Sequence, residues 1–296
     1  MRHVVVFCHI EKCAGTSLIK KSLQEIPFGS VGVLSKSNKV DIKDLKKLKR
    51  LYGRPQIITG HSLTPTSFTD LKDVFAEIKT FTIFRDPFSR VISNYLHDKT
   101  RGVWDGSLSE FVSIPWKQNY MLRFLGGGDV KNGHEGFKAI DYKISVKNLK
   151  RSLPILINEL NLPLTPDLVK KNSYQQNQSI LPSDLSVENG VKIGNYSISQ
   201  ENYNLIKDFN ALDIDFYDSA LKEEEIWLSH VKTTSTIPIP IQVPIQVPKK
   251  TNRFLMRIAW VYRNIIYKPY VLGQFGPHRL PRNGVTPSLI SSHDAF

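Results

Sequence analysis

HVVVFCHIEKCAGTSLIKKSLQ, residues His3 to Gln24, decides how this chain folds. It opens on an apolar, β-branched run, Val4 to Phe7, that reads as a buried strand. A short polar loop follows from His9 to Gly15. A helical pattern then begins at Thr16 and Ser17 and continues with Leu18, Ile19 and Leu23. A strand that runs through a glycine-containing loop into a helix N-terminus is how α/β proteins build phosphate sites. The free N–H groups of the loop and first turn point at the anion, and the helix dipole favours its charge. Lys12 adds a full positive charge inside the loop. The arrangement is not the G-x-x-x-x-G-K-[ST] phosphate loop of ATP- and GTP-hydrolysing proteins, because Lys12 precedes Gly15 and no glycine starts the loop.

A second segment, KTFTIFRDPFSRVISNYLH from Lys79 to His97, sharpens this reading. Thr80 to Phe84 is again strand-like. Pro87 suits the first turn of a helix and not a central strand. Val91, Ile92 and Tyr95 then recur at helical spacing. Arg85 is thereby placed at the C-terminal end of a strand, where open α/β sheets bind ligands. Ser93 lies about two helical turns further on. Arg85 alone reads equally well as a capping or surface-paired arginine. Beside the first loop, a guanidinium and a hydroxyl aimed at one point form a second phosphate clamp.

Together these segments resemble the sulfotransferases that use 3′-phosphoadenosine 5′-phosphosulfate (PAPS), and most of all the carbohydrate group with the heparan sulfate 2-O- and 6-O-sulfotransferases. That group's 5′-phosphosulfate loop typically reads H-I-P-K-T-A-G-T-S; this chain reads HIEKCAGTS from His9 to Ser17. Glu11 and Cys13 depart from the pattern. The group's R-D-P, followed by a serine-bearing helix, is matched by Arg85, Asp86, Pro87 and Ser93. Fainter echoes fall at QNYMLRFLGG (Gln118 to Gly127) and ISQENYNLIKDFNALDIDFYDSALK (Ile198 to Lys222).

The resemblance implies an α/β, three-layer P-loop-like sandwich with a mostly parallel central sheet flanked by helices. It implies PAPS as co-substrate and no metal. Lys12 would neutralise charge on the leaving phosphate oxygen. Cys13, Ala14, Gly15, Thr16 and Ser17 would cradle the 5′-phosphate, and Arg85 and Ser93 would hold the 3′-phosphate. The acceptor hydroxyl needs a base. His61 follows Ile57, Ile58, Thr59 and Gly60 at the end of another short β-branched run, and it is the first choice. Glu11, beside Lys12, is the second. His9 reads as a loop-stabilising residue and His97 as a helix-surface one.

A formal net charge of +13 points to an anionic partner. The densest basic run, Asp41 to Arg50, reads as a solvated helix face. Nucleic-acid reader signatures are absent, so a nucleic-acid partner is not expected. Cys8 and Cys13 do not form a disulfide framework; Cys13 is expected to be a loop thiol sensitive to alkylation. No run of 18 apolar residues occurs. Few residues precede the first strand, which sets an expectation of a cytoplasmic, bacterial protein, whereas animal members of the resembled group carry a membrane anchor.

Helices are expected at Pro115 to Leu125, Lys143 to Leu160 and Ser199 to Leu221, with a long loop from Leu162 to Leu185. In the resembled group that loop region shapes the acceptor cleft, which makes Lys170, Lys171 and Asn172 candidate substrate contacts. The organisation read from this is a sulfotransferase domain over residues 1–232, a Pro-spaced linker over 233–250 and a basic amphipathic extension over 251–296. Residues 251–274 fit either peripheral contact with an anionic membrane or packing on the main domain. The expected activity is sulfuryl transfer from PAPS to a hydroxyl of a carbohydrate or glycolipid. The alternatives are a P-loop nucleotide kinase or NTPase, and a catalytically silent anion- or glycan-binding relative.

Overall fold

A computed structural model describes residues 3–15, 17–19, 30–32, 43, 45, 46, 49, 56–61, 63–165 and 181–234. The first strand, β1 (Val4–Cys8), is buried along its whole length. It is followed by β2 (Ser30–Gly32), β3 (Ile57–Gly60), α1 (Phe68–Phe75), β4 (Ile78–Phe84) and α2 (Pro87–Thr100). Next come α3 (Leu108–Val112), α4 (Tyr120–Leu125), α5 (Gly133–Lys138), β5 (Tyr142–Ser145) and α6 (Leu149–Glu159). The described chain ends with β6 (Val191–Ile193), β7 (Tyr196–Ile198), α7 (Gln200–Phe209) and α8 (Ala211–Thr234).

Five strands form one sheet in the order β2-β3-β1-β4-β5, and every neighbouring pair is parallel. The expected α/β sandwich with helices flanking a parallel sheet is therefore present. Val4, Val5, Val6 and Phe7 are wholly buried, as continuous apolar strands must be when both sheet faces are covered. The register sets the site. Cys8 stands opposite Gly60 of β3 on one side and Thr82 of β4 on the other. The segments leaving β1, β3 and β4 thus emerge side by side at the carboxyl edge of the sheet.

Three expected helices differ in detail. Lys143 to Leu160 is not one helix: Tyr142–Ser145 is the fifth strand, pairing Phe81 with Tyr142 and Phe84 with Ser145. Its short alternation, with Ile144 buried, is the period of a strand and not of a helix. The turn after it is held by Glu224 of α8, a buried carboxylate that accepts from the Ser145 N–H (2.9 Å), Asn148 Nδ2 (3.0 Å) and Ser152 Oγ (2.6 Å). Pro115 to Leu125 divides into a 3-10 turn, Pro115–Lys117, and α4. Asn119 between them adopts φ 45°, which ends one turn and starts the next.

Ser199 to Leu221 divides at Asn210, whose side-chain amide donates to the Ile206 carbonyl at 3.0 Å and whose Oδ1 accepts from the Asn119 N–H at 3.2 Å. Helix α8 then continues to Thr234, past the expected boundary at 232. Of the expected loop from Leu162 to Leu185, Ser183–Leu185 forms a 3-10 turn. Residues 166–180, with Lys170, Lys171 and Asn172, lie outside the described residues, as do 235–296 with most of the linker and all of the extension. Sequence periodicity did not indicate β2 or the antiparallel β6–β7 hairpin. That hairpin packs with α2, α3 and α7 in a second apolar cluster around Tyr95, Phe111 and Ile206. Among the described residues, no helix is long and apolar enough to cross a membrane.

Candidate functional site

The backbone of the loop after β1 has an unusual conformation. Lys12 adopts φ 65° and Ala14 φ 61°, while Glu11, Cys13 and Gly15 between and beside them stay out of the left-handed region. Alternation of left-handed and ordinary residues is the backbone pattern of anion nests. Neither left-handed residue is glycine, and each costs on the order of 1 kcal/mol to hold there. The Cys13 N–H returns to the Ile10 carbonyl at 3.4 Å and the Ser17 N–H to the Ala14 carbonyl at 3.2 Å. Thr16 lies outside the described residues.

Arg85 leaves the end of β4 and Nη1 donates to the Lys12 carbonyl at 3.0 Å. The two motifs read from sequence are therefore in direct contact. Asp86 and Pro87 complete the corner: Asp86 accepts from the Ser89 N–H at 2.8 Å and caps α2, and Pro87 takes its first turn. Burial pulls the Lys12 ammonium down, Glu11 and Asp98 push it back up, and Arg85 and Arg101 lower it further. Ser93 is half-buried in α2, one turn before His97 and two before Arg101 on the same helical stripe. Both of those residues feel the Lys12 charge: His97 is pushed down by burial and by Lys12. Arg101 Nη1 approaches His97 Nε2 at 3.2 Å. His97 is half-buried, with the Lys12 charge acting on it.

His61, just past β3, is exposed, and its Nδ1 donates to the His9 carbonyl at 3.0 Å. A carbonyl only accepts, so Nδ1 carries the proton and Nε2 keeps its lone pair. His9 itself is buried and forms part of a row of rings. Phe81 stacks on Phe7 (4.5 Å), Phe7 on His9 (5.3 Å), and His9 lies 4.2 Å from His61. Burial, with the nearby His61 and Lys12 charges, pushes His9 down to about 3, so it is neutral. Gly15 is required by this ring: a Cβ there would stand 1.9 Å from His9 Cδ2 and 2.0 Å from Nε2. The close approach that Gly15 permits is to His9, which supports the loop as expected.

Cys13 corrects an expectation. Its side chain is wholly buried under the loop, its thiol lies 3.6 Å from the Glu11 carbonyl, and burial pushes it up to about 12. It is a packing residue and not an exposed loop thiol. Burial and the nearby Glu11 charge push the Tyr120 phenol of α4 well up. Arg90, buried in α2, lies over the Tyr120 ring at 4.8 Å and was not indicated by sequence. Its position among Val91, Ile92 and Asn94 on a buried face was the available signal. Among the described residues, no group of three His, Cys, Asp or Glu side chains is arranged to hold a metal.

Residues 1–119 match the family model of the sulfotransferase family. This match supports a sulfotransferase family member, and its span contains the loop, His61, Arg85 and Ser93 together. Sulfuryl transfer, of the general transferase type, is the activity that this match supports. No curated protein matches the chain.

Proposed function

We propose that this protein is a PAPS-dependent O-sulfotransferase acting on a hydroxyl of a carbohydrate or glycoconjugate, with His61 as general base. The observation that carries this reading is the contact between Arg85 and the Lys12 carbonyl, which joins two anion-binding elements at the carboxyl edge of the sheet. A donor with separate 5′- and 3′-phosphate groups needs two such elements, and one nest alone does not distinguish it from ATP. When bound, PAPS supplies an activated sulfuryl group whose S–O bond to phosphate breaks as the acceptor oxygen forms its own bond to sulfur.

This chain's residues then have distinct tasks. The nest from Lys12 to Gly15 receives the 5′-phosphate, and the Lys12 ammonium sits where charge grows on the departing oxygen. Arg85, with Ser93 one turn from His97, receives the 3′-phosphate. His61 Nε2 takes the acceptor proton, with its free lone pair fixed by the Nδ1 bond to His9. Glu11, beside Lys12, stays the second candidate base. Lys170, Lys171 and Asn172 stay proposed acceptor contacts.

Calorimetry with 3′-phosphoadenosine 5′-phosphate (PAP) against ATP with Mg²⁺ tests the donor, and a labelled-sulfate screen over glycans, lipids and phenols tests the acceptor. Arg85→Ala should weaken PAP binding. His61→Ala should leave PAP binding intact while lowering transfer by about 10²- to 10⁴-fold. A preference for ATP, or full activity in His61→Ala, would overturn the respective part.

A further inference from the structure

Five glycines fall within LGGGDVKNGHEG, Leu125 to Gly136, outside both the loop and the arginine corner. Helix α4 ends there in a Schellman turn. The Gly128 N–H donates to the Arg123 carbonyl at 2.8 Å and the Gly127 N–H to the Phe124 carbonyl at 3.1 Å, with Gly127 at φ 68°. Such a cap needs a positive φ, which asparagine also adopts. It does not need a missing Cβ. The contact that does need one comes from elsewhere in the chain. A Cβ at Gly127 would stand 2.7 Å from Thr66 Cγ2 and 3.1 Å from Thr66 Oγ1. One at Gly136 would stand 2.0 Å from the Leu125 carbonyl oxygen and reach Pro65 Cγ at 3.4 Å. The α4–α5 corner is thus bare backbone where the 3-10 turn Pro65–Ser67 rests on it.

That 3-10 turn continues the segment that carries His61. Gly60 stands opposite Cys8 in the sheet, and the Leu63 N–H donates back to the Gly60 carbonyl at 3.3 Å. Leu63 is wholly buried, so His61 sits on a short turn anchored at both ends. Thr64 joins this turn to the next. Its hydroxyl and that of Thr66 share a hydrogen bond of 2.7 Å, and its carbonyl accepts from the Ser67 N–H and Oγ, each at 2.9 Å. We propose that Gly127 is a positioning residue for His61, its bare backbone seating Thr66 so that the segment from Gly60 to Ser67 holds the imidazole against the His9 carbonyl. The inference rests on the reading of His61 as the base. A Cβ at residue 127 leaves Thr66 two courses. Turning its side chain, which is stiff at χ1, breaks the bond to Thr64, and keeping that bond displaces the turn. Both loosen the bond from His61 Nδ1 to the His9 carbonyl.

The test is Gly127→Asn in the full chain, which keeps the helix cap and adds the Cβ. Nitrogen chemical shifts of the His61 ring, read by NMR at mildly alkaline pH, report which nitrogen carries the proton. Wild type should show Nδ1–H, and Gly127→Asn should shift toward the Nε2–H form that a free imidazole favours. Sulfuryl transfer should fall about 10- to 100-fold while PAP affinity stays within about twofold. Adding Thr66→Ser removes the methyl carbon that the Cβ meets and should bring the tautomer back and the rate to within about threefold of wild type. A purely structural role predicts that melting temperature, rate and PAP affinity fall together and that serine restores none of them. That result, or an unmoved His61 tautomer in Gly127→Asn, overturns the proposal. If Gly127→Asn does not fold, Thr66→Val decides, because it removes the bond to Thr64 at an exposed position. The tautomer should shift there too, and an unmoved one overturns the idea. A wild type that transfers nothing while the tautomers behave as stated would remove the base reading and leave the seating of His61 supported.

Discussion

Gly15→Ala is the most informative substitution in the loop. The added methyl carbon would stand 1.9 and 2.0 Å from two atoms of the His9 ring, far inside van der Waals contact. The ring has little room to yield, because Phe7 stacks against it at 5.3 Å and His61 lies at 4.2 Å. Overpacking of this kind costs about 1–3 kcal/mol, and such short contacts place it near the upper figure. About 3 kcal/mol lowers Tm by about 6–12 °C for a domain of 150–250 residues.

The same displacement moves the His9 carbonyl that orients His61, so transfer should fall more than stability alone explains. The decisive measurement is a double-mutant cycle. In a His9→Ala background the ring is gone, and Gly15→Ala should then cost less than about 1 kcal/mol, leaving a coupling of about 2 kcal/mol. Urea unfolding of the four proteins supplies all the values. Additive losses, or a single Gly15→Ala variant as stable as wild type, would refute the claim that His9 is why residue 15 is glycine.

Two further predictions concern the same buried layer. His9 is held neutral down to about 3, against an ordinary value of 6.5, so the unfolded chain binds more protons between those limits and stability falls as pH drops through them. From pH 7.5 to pH 5 this one ring should remove about 2 kcal/mol, and urea midpoints of wild type and His9→Asn should differ in pH slope by that amount; parallel slopes would reject it. Cys8 and Cys13 are both wholly buried with their thiols pushed up, so neither should react with iodoacetamide in the native protein at pH 8, and both should react in urea. Rapid native labelling mapped to Cys13 by mass spectrometry would show that the loop opens.

What was legible in the sequence is what short-range chemistry dictates. Val4 to Cys8 can only be a buried strand, and Asp86-Pro87 starts a helix by capping and by a fixed φ, so Arg85 had to stand at a strand end. From there, parallel pairing of β1 with β3 and β4 was enough to bring Lys12, His61 and Arg85 to one edge. The misreadings share a cause of the opposite kind. Tyr142–Ser145 is too short for its alternation to outweigh the apolar helix after it, and its place at the sheet edge depends on Glu224, more than 70 residues away. Asn119 and Asn210 break their helices through a contact with each other across the fold, which no local window contains.

The loop itself combines both cases. Its lysine and glycine were readable, but the His9 ring that leaves no room for a Cβ at Gly15 was not. Once His9 occupies the space under Gly15, the left-handed turns fall to Lys12 and Ala14, which pay the conformational cost that glycines bear in other phosphate loops. That cost has to be offset by contacts around the loop: Arg85 on the Lys12 carbonyl and Cys13 in the core. Of the two positions that depart from the resembled pattern, Glu11 and Cys13, the second turns inward and is one of these supports. The shape of the loop is thereby maintained by Arg85 at the end of β4 and by the core around Cys13.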